Sequence, residues 1–158
     1  MTETTSSAFI AESRFRVRFA ETDAMGITHH SSYVVWMEQA RTDYCRATGM
    51  PYNEISAQGI EFLVAEIGLK YLSSSFFDDQ IVVRTWVEKV GKASCRFGYQ
   101  IYDETTGKTC LEAFSEHAAA TREGKIKRLF PELYQLLQSH AGTGPETSFN
   151  RAKKERAK

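Results

Sequence analysis

The sequence predicts an α+β fold: a five-stranded antiparallel sheet wrapped around one long central helix. Three observations point there. One segment carries apolar residues at three- and four-residue steps, the period of a helix with a single buried face. Five others are rich in β-branched and aromatic residues. Most of these follow one another across short turns rather than across helices, which argues antiparallel pairing over βαβ units. One helix covers such a sheet only if the sheet curls around it, and an open sheet leaves edges that a second subunit can pair.

The elements follow in order. Residues 1–11 read as a flexible N-terminus. Glu12 to Ala20 reads as a first strand, in which Phe15, Val17 and Phe19 alternate with Arg14, Arg16 and Arg18. Ala20 to His30 is loop. From Ser31 to about Thr48 the pattern is helical, with Ser31 or Ser32 as N-cap. Tyr33, Trp36, Met37, Ala40, Tyr44 and Ala47 form its apolar stripe. Gly49 and Pro51 supply the stop, which makes a helix about 27 Å long. Strands are predicted over Ile60 to Leu72, Gln80 to Val90, Ser94 to Asp103 and Thr109 to Thr121. A last short helix runs from Pro131 to Ser139, with the proline in its first turn. Residues 12–140 are therefore one domain, and residues 141–158, which end in a basic run, read as a disordered tail.

Bulk properties narrow the class. A length of 158 residues with 42% hydrophobic content suits one domain with a real core. Twenty basic residues balance twenty acidic ones, which argues against a whole-surface attraction to nucleic acid or anionic membrane. The absence of a long apolar run and of a signal-like N-terminus predicts a cytoplasmic protein with no membrane partner. Cys45, Cys95 and Cys110 are odd in number and scattered, so buried reduced thiols are expected rather than a disulfide framework.

Chemistry concentrates between the first strand and the helix, in Glu21-Thr22-Asp23-Ala24-Met25-Gly26-Ile27-Thr28-His29-His30-Ser31-Ser32-Tyr33. An acid, a glycine and two histidines there lead into a helix N-terminus, which offers free N–H groups and a positive dipole end. A carboxylate beside such donors suits attack on, or hydration of, a polarised carbonyl. Two histidines and an acid in one loop also raise the question of a metal. Adjacent His29 and His30 are expected to point apart, and no further ligand spacing follows, so no metal or redox cofactor is predicted. No Gly-x-Ser-x-Gly elbow supports a serine hydrolase.

This loop, with Glu38-Gln39-Ala40-Arg41 on the helix and Val87-Glu88-Lys89-Val90-Gly91-Lys92-Ala93-Ser94 between central strands, resembles the hot-dog fold. More narrowly, it is similar to the 4-hydroxybenzoyl-CoA thioesterase family, in the branch of bacterial acyl-CoA thioester hydrolases. The family motif reads Asp-Thr-Asp-x-x-Gly-Val-Val-Tyr-His-x-x-Tyr. The chain departs from it with Glu21 for the first aspartate, Ile27-Thr28 for the valines and His29 for the tyrosine. The resemblance covers roughly residues 13 to 138, by the order of elements.

The resemblance implies that Asp23 is the essential carboxylate, acting as nucleophile or as general base on water. Without the motif, a loop-ordering role through its own hydrogen bonds would be the preferred reading. Gly26 lets the loop turn tightly. The backbone N–H of His30 is implied to polarise the thioester carbonyl, whereas its imidazole fits lining or capping the loop as well as it fits orienting water or substrate. Glu38 lies too far along the helix for an obvious chemical task, and an ion pair with Arg41 is expected instead. Lys89, Lys92 and Arg96 around Gly91, and Arg122, Lys125, Lys127 and Arg128 after the last strand, are candidate partners for the phosphates of coenzyme A. Tyr33, Trp36, Met37, Phe62 and Leu63 suit an acyl pocket and the core equally.

The expected activity is hydrolysis of an acyl-CoA to a free acid and CoA. A hydratase or dehydratase on acyl thioesters and a non-catalytic acyl-CoA-binding module are the alternatives. The resemblance further implies that two subunits pair into one sheet. Asp23 of one would face the segment Gln58 to Val64 of the other, in a homodimer or a homotetramer of two such dimers.

Overall fold

In the computed structural model, which describes residues 6–155, five antiparallel strands form one sheet in the order β1-β3-β4-β5-β2. The strands are β1 (Ala11–Arg16), β2 (Glu61–Tyr71), β3 (Gln80–Gly91), β4 (Ser94–Asp103) and β5 (Thr109–Ala120). The helices are α1 (Ser32–Thr48), α2 (Tyr52–Ala57), α3 (Pro131–His140) and α4 (Ser148–Glu155). β1 is shorter than its alternation suggests, because the chain turns into a 3-10 turn at Phe19–Glu21. β3, β4 and β5 are the meander that short turns predict. β2 does not precede β3 in the sheet; it pairs β5 on the far side, so β1 and β2 are the two edges.

α1 lies against the inner face of the sheet. Tyr33, Trp36, Met37, Ala40 and Tyr44 are buried, together with Cys45. Ala47 of the expected stripe is exposed. Gly49 ends the helix at φ +102°, a left-handed conformation that costs glycine little. Bulges at Val64/Glu66 in β2 and Val87/Lys89 in β3 bend those strands. Inward-facing Ile81, Val83, Val87, Phe97, Tyr99 and Ile101 complete the core with α1. α2 went unread in the sequence, where Pro51 looks like a stop; Pro51 is instead its N-cap, and buried Ile55 seats it.

Both chain ends correct the sequence reading. Within the described part of the first eleven residues, Ala8 N–H donates to the Thr143 carbonyl and Phe9 N–H to the His140 carbonyl. Residues 1–5 and 156–158 lie outside the described residues. The tail from Ala141 is ordered as a strap across the outer face of the sheet. Gly142 N–H donates to the Val87 carbonyl, Gly144 lies against Trp86, and Phe149 packs on Phe114 with ring centroids 5.0 Å apart. Ser148 N–H and hydroxyl both donate to Glu112 at 2.8 Å. At the start of α4 the Thr147 N–H donates to Asn150 Oδ1 (2.8 Å) and the Thr147 hydroxyl oxygen accepts the Phe149 N–H (3.3 Å), which caps the helix. The physical reason is the outer face itself. Trp86 and Phe114 need apolar cover; Gly144 lets backbone approach Trp86 closely, Phe149 covers Phe114, and Gly142 makes room for residues 6–8, which run beside the strap.

Candidate active site

Asp23 sits on a small hairpin. Thr22 bridges Thr28, Asp23 N–H donates to the Ile27 carbonyl, and Gly26 N–H donates to the Asp23 carbonyl, the last two at 2.9 Å. Gly26 makes the tip possible at φ +80°. Asp23 Oδ1 accepts the Met25 N–H at 2.8 Å, which is the loop-ordering bond. That is the one bond to the half-buried Asp23 carboxylate among the described residues, so Oδ2 is free.

The hairpin is tied down from both sides. The Glu21 carbonyl accepts the His29 N–H (2.7 Å) and the Ser32 hydroxyl (3.1 Å). Fully buried Ser75, in the β2–β3 connection, accepts the Thr28 N–H on its carbonyl at 2.8 Å, and its hydroxyl meets those of Thr28 and Tyr33. Tyr33 is therefore a buried anchor of the loop rather than an open substrate contact. Glu21 is the other anchor. Burial opposes its charge, yet hydrogen bonds from Arg18 and from Trp36 Nε1 (2.6 Å) outweigh that and hold its carboxyl below the usual range.

His30 precedes α1. Its carbonyl accepts the Tyr71 hydroxyl at 2.9 Å, and its N–H has no acceptor among the described residues. Its ring is exposed. His29 Nδ1 accepts both the N–H and the hydroxyl of Ser31. The two imidazoles do not point apart: their centroids are 4.1 Å apart, because the turn into α1 stacks adjacent rings on one side. Among the described residues, no group of three or more His, Cys, Asp or Glu could hold a metal.

The candidate cations lie at the opposite end of the sheet. The loop abuts the Gln80 end of β3, whereas Lys89 and Lys92 sit at the Gly91 end. A strand of 12 residues puts these ends about 40 Å apart. Lys89, Lys92 and Arg128 are exposed, and the Leu129 N–H to Lys92 carbonyl bond joins the two cationic segments. Arg96 is not available. Its guanidinium is committed to Glu88 (3.0 Å) and Glu116 (2.8 Å) and stacks over Phe114 on the outer face.

A cavity of about 300 Å³ opens between α1, α2 and the β2/β4/β5 part of the sheet. Phe62, Val64 and Phe97 contribute apolar wall; Glu38, Arg41 and His117 contribute polar groups. Trp36 and Met37 are core and Leu63 is exposed on β2, so Phe62 alone of the candidate acyl contacts lines it. The expected Glu38–Arg41 ion pair does not form. Arg41 Nη1 instead donates to the Tyr99 hydroxyl at 3.1 Å. Beyond it, Tyr99 meets Ser115 at 2.7 Å and Ser115 meets His117 Nε2 at 2.8 Å. Sequence reasoning missed this chain of groups. Its one local signal was Ser115 and His117 two residues apart on a strand, hence on one face. Burial pushes the Cys45 thiol up to about 11 and the Cys95 thiol to about 12, so neither is a nucleophile at neutral pH.

The family model described as the thioesterase-like superfamily matches residues 17–137. Haemophilus influenzae acyl-CoA thioesterase YbgC is 30% identical over 127 residues, 79% of this chain and 91% of that protein. Among solved structures, Thermus thermophilus hypothetical protein TT1821 superposes with a TM-score of 0.79 at 31% identity, covering 85% of this chain and 100% of that one. Staphylococcus aureus DHNA-CoA thioesterase superposes with a TM-score of 0.78 at 27% identity, covering 94% and 95%.

Proposed function

The chain belongs to the thioesterase-like superfamily, and from that premise we propose that it hydrolyses an acyl-CoA to a free acid and CoA. One observation carries the chemistry. A single tethered loop holds a carboxylate oxygen without a hydrogen-bond partner, on Asp23, and a backbone N–H without one, on His30 at the entry to α1. The N–H and the helix dipole stabilise the oxyanion as the thioester carbonyl is attacked. Asp23 either attacks that carbon, expelling CoA thiolate and leaving an anhydride that water hydrolyses, or deprotonates the attacking water.

A thiol-release assay across a panel of acyl-CoAs tests this directly. Hydrolysis of at least one thioester is expected, unchanged by a chelator. Tight binding without thiol release would instead identify a binding module, and water addition to an enoyl-CoA a hydratase. Loss of activity on chelation, restored by a divalent cation, would overturn the metal-free chemistry.

Two copies pair through β2 in this reading. β1, the other edge, is lined by Glu12, Arg14 and Arg16, charges that discourage pairing, whereas β2 exposes Leu63, Val64 and Ile67. Antiparallel pairing of two β2 strands brings the Tyr71 end of one, with its Asp23 loop, beside the Glu61 end of the other. That end carries Lys92 and Arg128, so the phosphates of CoA would be held by the subunit opposite to the catalytic loop. Because the strap covers the outer sheet face, a tetramer would join two dimers elsewhere. Cytosolic location fits this reading; among the described residues no helix is long and apolar enough to cross a membrane. Light scattering at micromolar concentration is expected to give a dimer or tetramer mass, and a fully active monomer would refute the pairing.

A further inference from the structure

The cavity beside α1 contains a directional hydrogen-bond relay whose polarity follows from satisfaction alone. Arg41 only donates, so the Tyr99 hydroxyl accepts from it. Tyr99 is fully buried, and the Ser115 oxygen is the acceptor within reach of its proton, so Tyr99 donates to Ser115. Ser115 then donates to His117 Nε2, which leaves the proton of a neutral imidazole on Nδ1. Burial, reinforced by the Arg41 charge, keeps that imidazole neutral.

Both ends of the relay line the cavity, and both end in donors. The Arg41 guanidinium has five N–H groups and uses one of them, and no carboxylate pairs with it among the described residues. His117 Nδ1–H has no acceptor among those residues. Apart from Glu38, which is exposed at the side of α1, and from Thr42 and Tyr52, the wall is apolar. Two unused donors in such a cavity select an acceptor. At about 30 Å³ per water, the space holds the equivalent of about ten waters, room for a short chain or a single ring.

Resting on the thioesterase reading and on the β2 pairing above, which sets the Asp23 loop of one subunit beside the Phe62 end of the other, we propose that the cavity at that end seats the distal end of the acyl group, and that its Arg41 and His117 select an acyl group ending in a hydrogen-bond acceptor, an oxo or carboxylate oxygen. Within one subunit Arg41 lies about 16 Å along α1 from the loop, beyond the reach of a short acyl chain. Tyr99 and Ser115 are positioning residues: they fix the guanidinium and the imidazole tautomer. A methyl-ended chain leaves both donors unmet, and the lost hydrogen bonds then disfavour it.

Three CoA thioesters of matched length test this: hexanoyl-CoA, adipoyl-CoA and the corresponding methyl ketone. The wild type is expected to prefer at least one acceptor-ended substrate over hexanoyl-CoA by about tenfold or more in kcat/KM. A preference for adipoyl-CoA alone assigns a carboxylate; a shared preference assigns any acceptor oxygen. Arg41→Met and Ser115→Ala are each expected to bring the ratio toward one. Equal use of all three substrates by the wild type, or a uniform loss on all three in both variants, would overturn the selection. Calorimetry with the non-hydrolysable thioether analogues reads the same preference as binding. Selective binding without hydrolysis would sink the thioesterase reading and keep the cavity; hydrolysis without selectivity would do the reverse.

Discussion

Asp23→Asn is expected to lower kcat by a factor on the order of 10³ or more while the fold and substrate binding persist. The substitution is unusually clean here. The asparagine carbonyl can still accept the Met25 N–H that Asp23 Oδ1 accepts at 2.8 Å, so the hairpin keeps its tip. What disappears is the negative oxygen that nothing in the loop engages. Asp23→Ala would remove the turn bond as well and confuse a structural loss with a chemical one. Steady-state kinetics with a melting curve on the same preparation decides the matter. Near-wild-type turnover in a well-folded Asp23→Asn enzyme would end the carboxylate mechanism.

Acid is expected to destabilise the protein through His117. Burial, with a smaller contribution from Arg41, lowers its pKa from 6.5 to about 4. Between those values the unfolded chain binds a proton that the folded chain refuses, so stability falls as pH drops through the window. The contribution is intact above the unfolded pKa and fully lost below the folded one. At 1.36 kcal/mol per pKa unit the loss totals about 3 kcal/mol. Glu21, whose carboxyl is depressed, adds a loss at the acid end, as pH falls below the ordinary carboxylate range. Urea titrations between neutral pH and the onset of carboxylate protonation separate the two. His117→Gln should flatten the slope over that interval, and an unchanged slope would show that His117 does not titrate as its burial implies.

The amino-acid sequence determined the parts of this protein that are local. The α1 stripe from Tyr33 to Tyr44, the left-handed stop at Gly49 and the hairpin turns at Gly91 and Gly107 are written in residue spacing and turn chemistry. The Asp23 loop was legible for the same reason, since its acid, its glycine and its helix N-terminus are contiguous. Tertiary structure decided what depends on residues far apart in sequence. β2 sits beside β5 because pairing is chosen by burial across the whole sheet rather than by chain order. Arg96, a plausible phosphate ligand by its position near Gly91, is claimed by Glu88 and Glu116 across neighbouring strands. The tail read as disordered because its own composition cannot form a core; Trp86 and Phe114, presented by the outer face, order residues 142–151 from outside. The relay from Arg41 to His117 joins α1, β4 and β5, so its donors meet at one cavity only after the sheet has closed around the helix.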